Sequence, residues 1–348
     1  MKKLIDKLYK TANLKDEELA FLIDNIDDET LVYLHKKARQ KADEIYGKTV
    51  YIRGLIEFTN YCKNNCYYCG IRAANKCANR YRLSKEEILE CCENGYNLGF
   101  HTFVLQGGED AYFSDDKLCD IVSSIKQKYP DCAITLSVGE REKSSYKRLF
   151  DCGADRYLLR HETATKEHYQ KLHPENIQFE NRFECLNNLK EIGYQTGCGF
   201  MVGSPCQTTD NLVNDLRFIK NFQPEMVGIG PFIPHKDTPF SNEKSGSVRL
   251  TLILLSIIRL LVPTVLLPST TALSTADENG YQKGILAGAN VIMPNLSPES
   301  AREKYTLYNG KKTSGSQDAG ELEHLKHITE EIGYKIVFSR GDNIAFQK

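Results

Sequence analysis

Eight apolar, strand-like runs alternate with amphipathic helical stretches along this chain, and that alternation restricts the fold more than any other feature. The runs fall at 49–58, 101–106, 133–138, 156–160, 195–202, 226–230, 264–267 and 290–293. Helical patterns lie near 84–98, 114–129, 141–152, 180–193, 207–222, 248–262 and 278–288. Strands separated by helices pair in parallel, because a crossover helix returns the chain to the same end of the sheet. Eight such units predict an α/β fold of the complete (βα)8 barrel type. A doubly wound sheet would put a glycine loop for phosphate after the first strand; here that loop carries cysteines.

Helix ends support the reading. Ser84 and Glu87 form a capping box ahead of an Ile-Leu pair. Gly153, Gly193 and Gly288 each stand just past a helical pattern, as C-terminal stops do. Residues 1–47 read as an N-terminal helical extension, 48–308 as the barrel, and 309–348 as a tail holding a helix and a short strand. The stretch 309–320 (NGKKTSGSQDAG) is the most loop-like.

The 348 residues can bury a large core. With 45 Lys and Arg against 46 Asp and Glu, the formal charge is −1, which gives no broad reason to expect nucleic acid or an anionic membrane as partner. The most apolar stretch, 250–267, is interrupted by Arg259 and Pro263 and reads as a buried helix running into a buried strand, not as a span of about 20 apolar residues. The opening MKKLIDKLYKTANLKDEEL has no signal-peptide core. A reducing cytoplasm is therefore expected, where 12 Cys mean metal or redox chemistry more than disulfides.

Cys62, Cys66 and Cys69 follow the first strand in the spacing CxxxCxxC. That is the C-terminal mouth of the predicted barrel, where this fold places its chemistry. Thiolates ligate iron in Fe–S clusters, usually four to a cluster. Three can hold a 4Fe-4S cube and leave one iron open to chelate the amino and carboxylate groups of S-adenosylmethionine (SAM). Reductive cleavage of SAM to a 5′-deoxyadenosyl radical would follow. The alternative is a zinc-stabilised binding or scaffold protein, which needs a fourth ligand; Cys77 could serve, but no second CxxC pair follows. The other nine Cys are scattered and read as small core hydrophobes.

Residues ending the other strands would converge on the same mouth. Gln106, Gly107, Gly108 and Glu109 end strand two; the glycines admit close backbone, and Glu109 could receive an ammonium. Arg160, His161 and Glu162 end strand four, offering an anion fork, an outer supporting imidazole and a carboxylate. Arg182, near the start of the next helix, could take a carboxylate. Met201 and Ile229 lie on strands five and six, where core packing is the competing role. Thr270 and Thr271 follow strand seven, and Tyr305 and Tyr308 could cap the cavity from the tail. Tyr68 and Ser137 complete the expected cofactor-binding set.

The segments EFTNYCKNNCYYCGIR, QGGED, ADRYLLRHETA, FENR, MVGIGPFIPH and NVIMPN, in this order, resemble the radical SAM maturases of iron–iron hydrogenases, the HydE type, related to biotin synthase and methylornithine synthase. The resemblance spans roughly residues 30–308. It implies one 4Fe-4S cluster on Cys62, Cys66 and Cys69, and SAM contacts from Gly107, Gly108, Glu109, Glu162 and Arg182. It implies that Thr135, Arg156, Arg160, Thr270, Thr271, Tyr305 and Tyr308 hold an anionic substrate, an iron–cysteine species bearing CO and cyanide. Partner maturases and an electron donor such as ferredoxin or flavodoxin are implied too. No Cys follows Cys206, so the second cluster that some members carry in the tail is not expected, and Gly107 stands where the family often has Ser. A methylornithine-synthase-like radical mutase is the alternative.

Overall fold

The computed structural model describes residues 1–312 and 319–346. Parallel strands Gly54–Thr59, Thr102–Gly107, Ala133–Ser137, Arg156–Leu158, Gln195–Cys198 and Met226–Val227 form one sheet in sequence order. Isolated parallel bridges carry the pairing onward, Met226 to Leu266, Pro268 to Val291 and Asn295 back to Leu55. Strand Val291–Ile292 also pairs with Thr49–Ile52, the lower half of the first strand. All eight predicted positions therefore join one ring of pairing.

The predicted runs are broken where the backbone must do something else. The first divides at Arg53, which is buried and donates to Gly341 O at 3.3 Å. The fifth divides at Gly199, where a Cβ would lie 1.9 Å from Gly228 O, so neighbouring strands touch backbone to backbone there. The seventh, 264–267, forms bridges and no continuous strand.

Helices Lys85–Asn97, Asp115–Lys128, Lys143–Asp151, Phe179–Ile192, Thr209–Phe222, Val248–Leu261 and Gly280–Leu286 follow the strands in turn. The capping box forms in both directions, Ser84 N to Glu87 Oε2 at 2.7 Å and Glu87 N to Ser84 Oγ at 3.1 Å. The apolar stretch makes the helix Val248–Leu261, with every residue from Thr251 to Leu261 buried. Its Arg259 donates to Gly288 O, Pro263 O and Asn290 Oδ1, so the buried guanidinium is fully engaged. Among the described residues no helix is long and apolar enough to cross a membrane. Helices Lys2–Thr11, Asp16–Asn25 and Asp28–Tyr46 precede the barrel, the third packing on Val248–Leu261.

Two features depart from expectation. Helices Asp115–Lys128 and Lys143–Asp151 lie side by side, and the structure joins their Cys119 and Cys152, with Cα atoms 5.4 Å apart, in a disulfide. Those two thiols had read as ordinary core residues, because pairing across 33 residues leaves no local trace. The tail, besides its helix Ala319–Glu331 and strand Lys335–Val337, runs across the N-terminal end of the barrel. There Arg340 O accepts from Thr102, Asp342 accepts from Arg156 and Gln195, and Asn343 donates to Glu225 O and Thr264 O. These partners begin successive strands, so the tail closes the floor. Of the loop-like stretch 309–320, residues 313–318 lie outside the described residues.

Candidate active site

A cavity of about 360 Å³ opens at the C-terminal ends of the strands. That size suits a cofactor with a small substrate beside it. Cys62, Cys66 and Cys69 line one end. The loop carrying them is drawn down onto strand two: Lys63 N donates to Glu109 O at 2.9 Å and Glu109 N points at Cys62 Sγ, 3.4 Å away. Gly108 makes this approach possible, since a Cβ there would sit 2.2 Å from Tyr61 O.

Burial raises all three thiols above their usual range, Cys66 to about 12, and each feels at least one of its neighbours or a nearby carboxylate. Buried, mutually repelling thiolates need a cation to stay ionised. Thiolates at this spacing are the ligands that iron–sulfur clusters take.

Opposite the thiols stand charged groups. Glu109, 10% exposed at its side chain, is held by Glu140 N at 3.0 Å and Lys63 Nζ at 3.1 Å. Arg182 is anchored by Glu140 and by Arg160 O, with its guanidinium edge on the cavity. Arg160 Nη2 lies 3.3 Å from Glu162 Oε2, but the two are not aligned as a hydrogen bond, and both atoms are buried without one. Buried polar atoms left without hydrogen bonds at a cavity wall fit a polar ligand that completes them. Tyr68 lies beside the Cys and donates its hydroxyl to His173 Nε2 at 3.1 Å; His173 Nδ1 faces Tyr169 O at 3.0 Å, so that nitrogen carries the ring proton.

A family model for the radical SAM superfamily matches residues 56–219. The chain is also 47% identical over 298 residues to the [FeFe] hydrogenase maturase subunit HydE of Thermotoga maritima, covering 84% of this chain and 85% of that protein. The chain belongs to the radical SAM superfamily. It is 31% identical to 3-methylornithine synthase of Methanosarcina acetivorans over 87% of this chain and 86% of the relative. Among solved structures, methylornithine synthase (PylB) superposes with a TM-score of 0.85 at 28% identity, covering 96% and 97% of the two chains. The HydG maturase superposes at 0.80 with 21% identity, covering 97% of this chain and 75% of its own, which speaks to fold alone. As a radical SAM enzyme it uses a 4Fe-4S cluster and SAM.

Of the candidates read from the sequence of this radical SAM enzyme, all but two line the cavity. Gln106 Nε2 reaches Tyr305 Oη at 3.4 Å; Thr270 caps the short helix Thr271–Ala276, its Oγ1 accepting from Leu273 N at 3.3 Å. Ser137, Met201, Ile229, Thr271 and Tyr308 contribute wall.

Thr135 and Arg156, expected to hold substrate, do not line it. Arg156 is fully buried below and paired with Asp342 at 2.7 Å, so it braces the floor. Thr135 sits two residues under Ser137 on the same strand face, buried, beside Arg156 in register. His161 takes an outer place as expected, fully buried behind Glu162.

Two charged wall residues are not among the sequence candidates: Glu57 and Lys311, paired at 2.8 Å, with Asn295 Nδ2 donating to Glu57 at 2.7 Å. A carboxylate inside the strand segment Gly54–Thr59 was the available signal for Glu57. Lys311, in a tail loop, carried none.

Proposed function

We propose that this enzyme matures iron–iron hydrogenases, acting on an anionic iron–cysteine species bearing CO and cyanide. The observation that carries the reading is 47% identity to HydE of Thermotoga maritima across most of both chains, against 31% to 3-methylornithine synthase. When bound, the cluster supplies one electron that cleaves SAM to methionine and a 5′-deoxyadenosyl radical. Cys62, Cys66 and Cys69 would hold the cluster through their thiolates, leaving one iron without a protein ligand for SAM. Glu109 and Glu162 receive the ammonium and ribose of SAM, and Arg182, fixed by Glu140, faces its carboxylate. Arg160, whose Nε and Nη2 are buried without hydrogen-bond partners, binds the anionic substrate. Thr270, Thr271, Tyr305 and Tyr308 give that end hydroxyls and exclude water.

The similarity in shape to methylornithine synthase supports the alternative of a radical mutase. Anaerobic reconstitution separates the readings. The wild type should give a reduced 4Fe-4S EPR signal that changes with SAM, and Cys66→Ala should lose it together with 5′-deoxyadenosine formation. Added to partner maturases and an apo-hydrogenase, the wild type should restore hydrogen evolution; formation of 3-methylornithine instead would reject the maturase reading.

A further inference from the structure

The pair Glu57–Lys311 takes no part in holding SAM as read above, yet both residues line the cavity. An ion pair this deeply buried adds little net stability, because the cost of desolvation offsets the attraction, so keeping one in a cavity wall points to a use. The tail is pinned just before Lys311: Gly70 N, next to Cys69, donates to Leu307 O at 2.9 Å, and Asn309 N donates to Pro234 O at 3.0 Å. Lys311 therefore starts from a fixed backbone and reaches the cavity on a flexible four-carbon stem. Its Nζ lies 5.0 Å from the ring centre of Tyr305, the residue whose hydroxyl meets Gln106. The Tyr308 hydroxyl feels the charges of both Glu57 and Arg160. Two cations, Arg160 and Lys311, thus serve one end of the cavity from different walls. Arg160 has buried nitrogens without hydrogen bonds, and an ammonium has three protons to donate, of which the bond to Glu57 uses one. Glu57 is held independently of Lys311: Asn295 Nδ2 donates to its carboxylate and Ser297 Oγ accepts from its backbone N, both at 2.7 Å. A second cavity of about 20 Å³ adjoins the pair, room for about one water beside an ammonium that turns.

We propose that Lys311 is a substrate-binding residue that grips an amino-acid carboxylate, exchanging Glu57 for the ligand as it binds. The inference rests on the reading of this cavity as the site of a cysteine-bearing substrate, and deepens it. Arg160 faces the cyanide-bearing iron, and Lys311 takes the carboxylate of the cysteine. Glu57 is the resting counter-ion that keeps the ammonium at the cavity wall until the substrate arrives. A ligand without a carboxylate leaves the pair intact, so Lys311 selects for the amino-acid part of the substrate.

The test uses full-length reconstituted enzyme saturated with SAM under anaerobic conditions. Calorimetry measures the affinity for S-methyl-L-cysteine and for 2-(methylthio)ethylamine, the same molecule without its carboxylate. Wild type should bind the amino acid more tightly than the amine. The double variant Lys311→Met, Glu57→Gln, which removes both charges together, should lose on the order of tenfold in affinity for the amino acid, the worth of a charged hydrogen bond, and nothing for the amine. Glu57→Gln alone should bind the amino acid at least as tightly as wild type, since the ammonium no longer has a rival carboxylate. That sign separates the proposal from a purely structural pair, whose breaking would loosen the wall for both ligands alike, and it decides the matter even where the double variant does not fold. Equal affinity of wild type for the two ligands, or binding of neither, would overturn the assignment. So would weaker amino-acid binding by Glu57→Gln, or an equal loss for both ligands in the double variant. Failure of wild type to restore hydrogen evolution would instead remove the maturase reading, and the contrast between amino acid and amine would still decide the role of Lys311.

Discussion

The ammonium of Lys311 lies 2.8 Å from the carboxylate of Glu57, and the pair stands in the cavity wall with side chains only 7% and 1% exposed. Burial pushes the Glu57 carboxyl up, against the pull of Lys311. A tail loop is thereby tied to the first barrel strand by charge.

Lys311→Met should leave Glu57 buried without its cation, at a cost of about 3–5 kcal/mol near neutral pH. A raised carboxyl pKa gives stability that is present at low pH and fades as pH rises through the folded value. Losing Lys311 raises that pKa further, so the gap in melting temperature between variant and wild type should widen from pH 5.5 to pH 8. Adding Glu57→Gln should recover most of the loss. A gap independent of pH would show that Glu57 is not the group left uncompensated.

Arg156 supports the floor, and its removal should register as instability before it registers in binding. Asp342 is held well below the usual carboxylate range, burial being outweighed by Arg340, Arg156 and Gln195. Asp342→Ala takes the counterion from the buried Arg156, which keeps Arg340 O and Thr102, and should cost about 1–2 kcal/mol in denaturant unfolding at pH 7, since Asp342 is partly exposed. A depressed carboxyl contributes stability above its unfolded pKa and loses it as pH falls, so the difference should shrink below about pH 4. Unchanged unfolding alongside weaker substrate binding would return Arg156 to the substrate set.

Tyr68 sits between the cysteines and His173. Burial lowers His173 to about 3, so it stays neutral and accepts the tyrosine proton throughout the working range. His173→Phe should free the Tyr68 ring and raise KM for SAM by roughly threefold to tenfold, the loss of about one hydrogen bond, with kcat little altered. Tyr68→Phe should reproduce that change, and the double variant should add nothing. Additive effects would mean that His173 acts on something else.

What could be read beforehand and what could not divide along physical lines. Strands such as Ala133–Ser137 and the helix Val248–Leu261 were legible because each is a local, nearly continuous apolar run, buried almost throughout. The mouth residues were legible because position at a strand end fixes where a side chain points. Arg156 was misplaced since its partner, Asp342, lies 186 residues away in a tail whose path over the barrel floor has no periodic signature. Lys311 and the Cys119–Cys152 pair share that difficulty. Each depends on a tertiary contact between segments that individually look ordinary.

Glu162 is a cavity carboxylate on a left-handed backbone, φ 65°. A non-glycine residue there is strained and must be held. Glu162 N donates to Gly199 O at 3.0 Å, and Gly199 N in turn donates to His161 Nδ1 at 3.2 Å. The His161 proton is thus on Nε2, which lies 3.3 Å from Asp215 Oδ1 without an aligned hydrogen bond; both side chains are wholly buried. Asp215 also accepts from Ala164 N. The buried pair therefore clamps both ends of the turn that aims Glu162. Asp215→Ala should relax the turn, costing about 2 kcal/mol in stability and raising KM for SAM several-fold, with kcat less affected. Burial pushes Asp215 well above the carboxylate range, so Asp215→Asn, which keeps the acceptor for Ala164 N, should fold at least as well at pH 8 and keep a near-normal KM. If Asp215→Ala melts early yet binds SAM as tightly as wild type, the clamp serves the core and not Glu162.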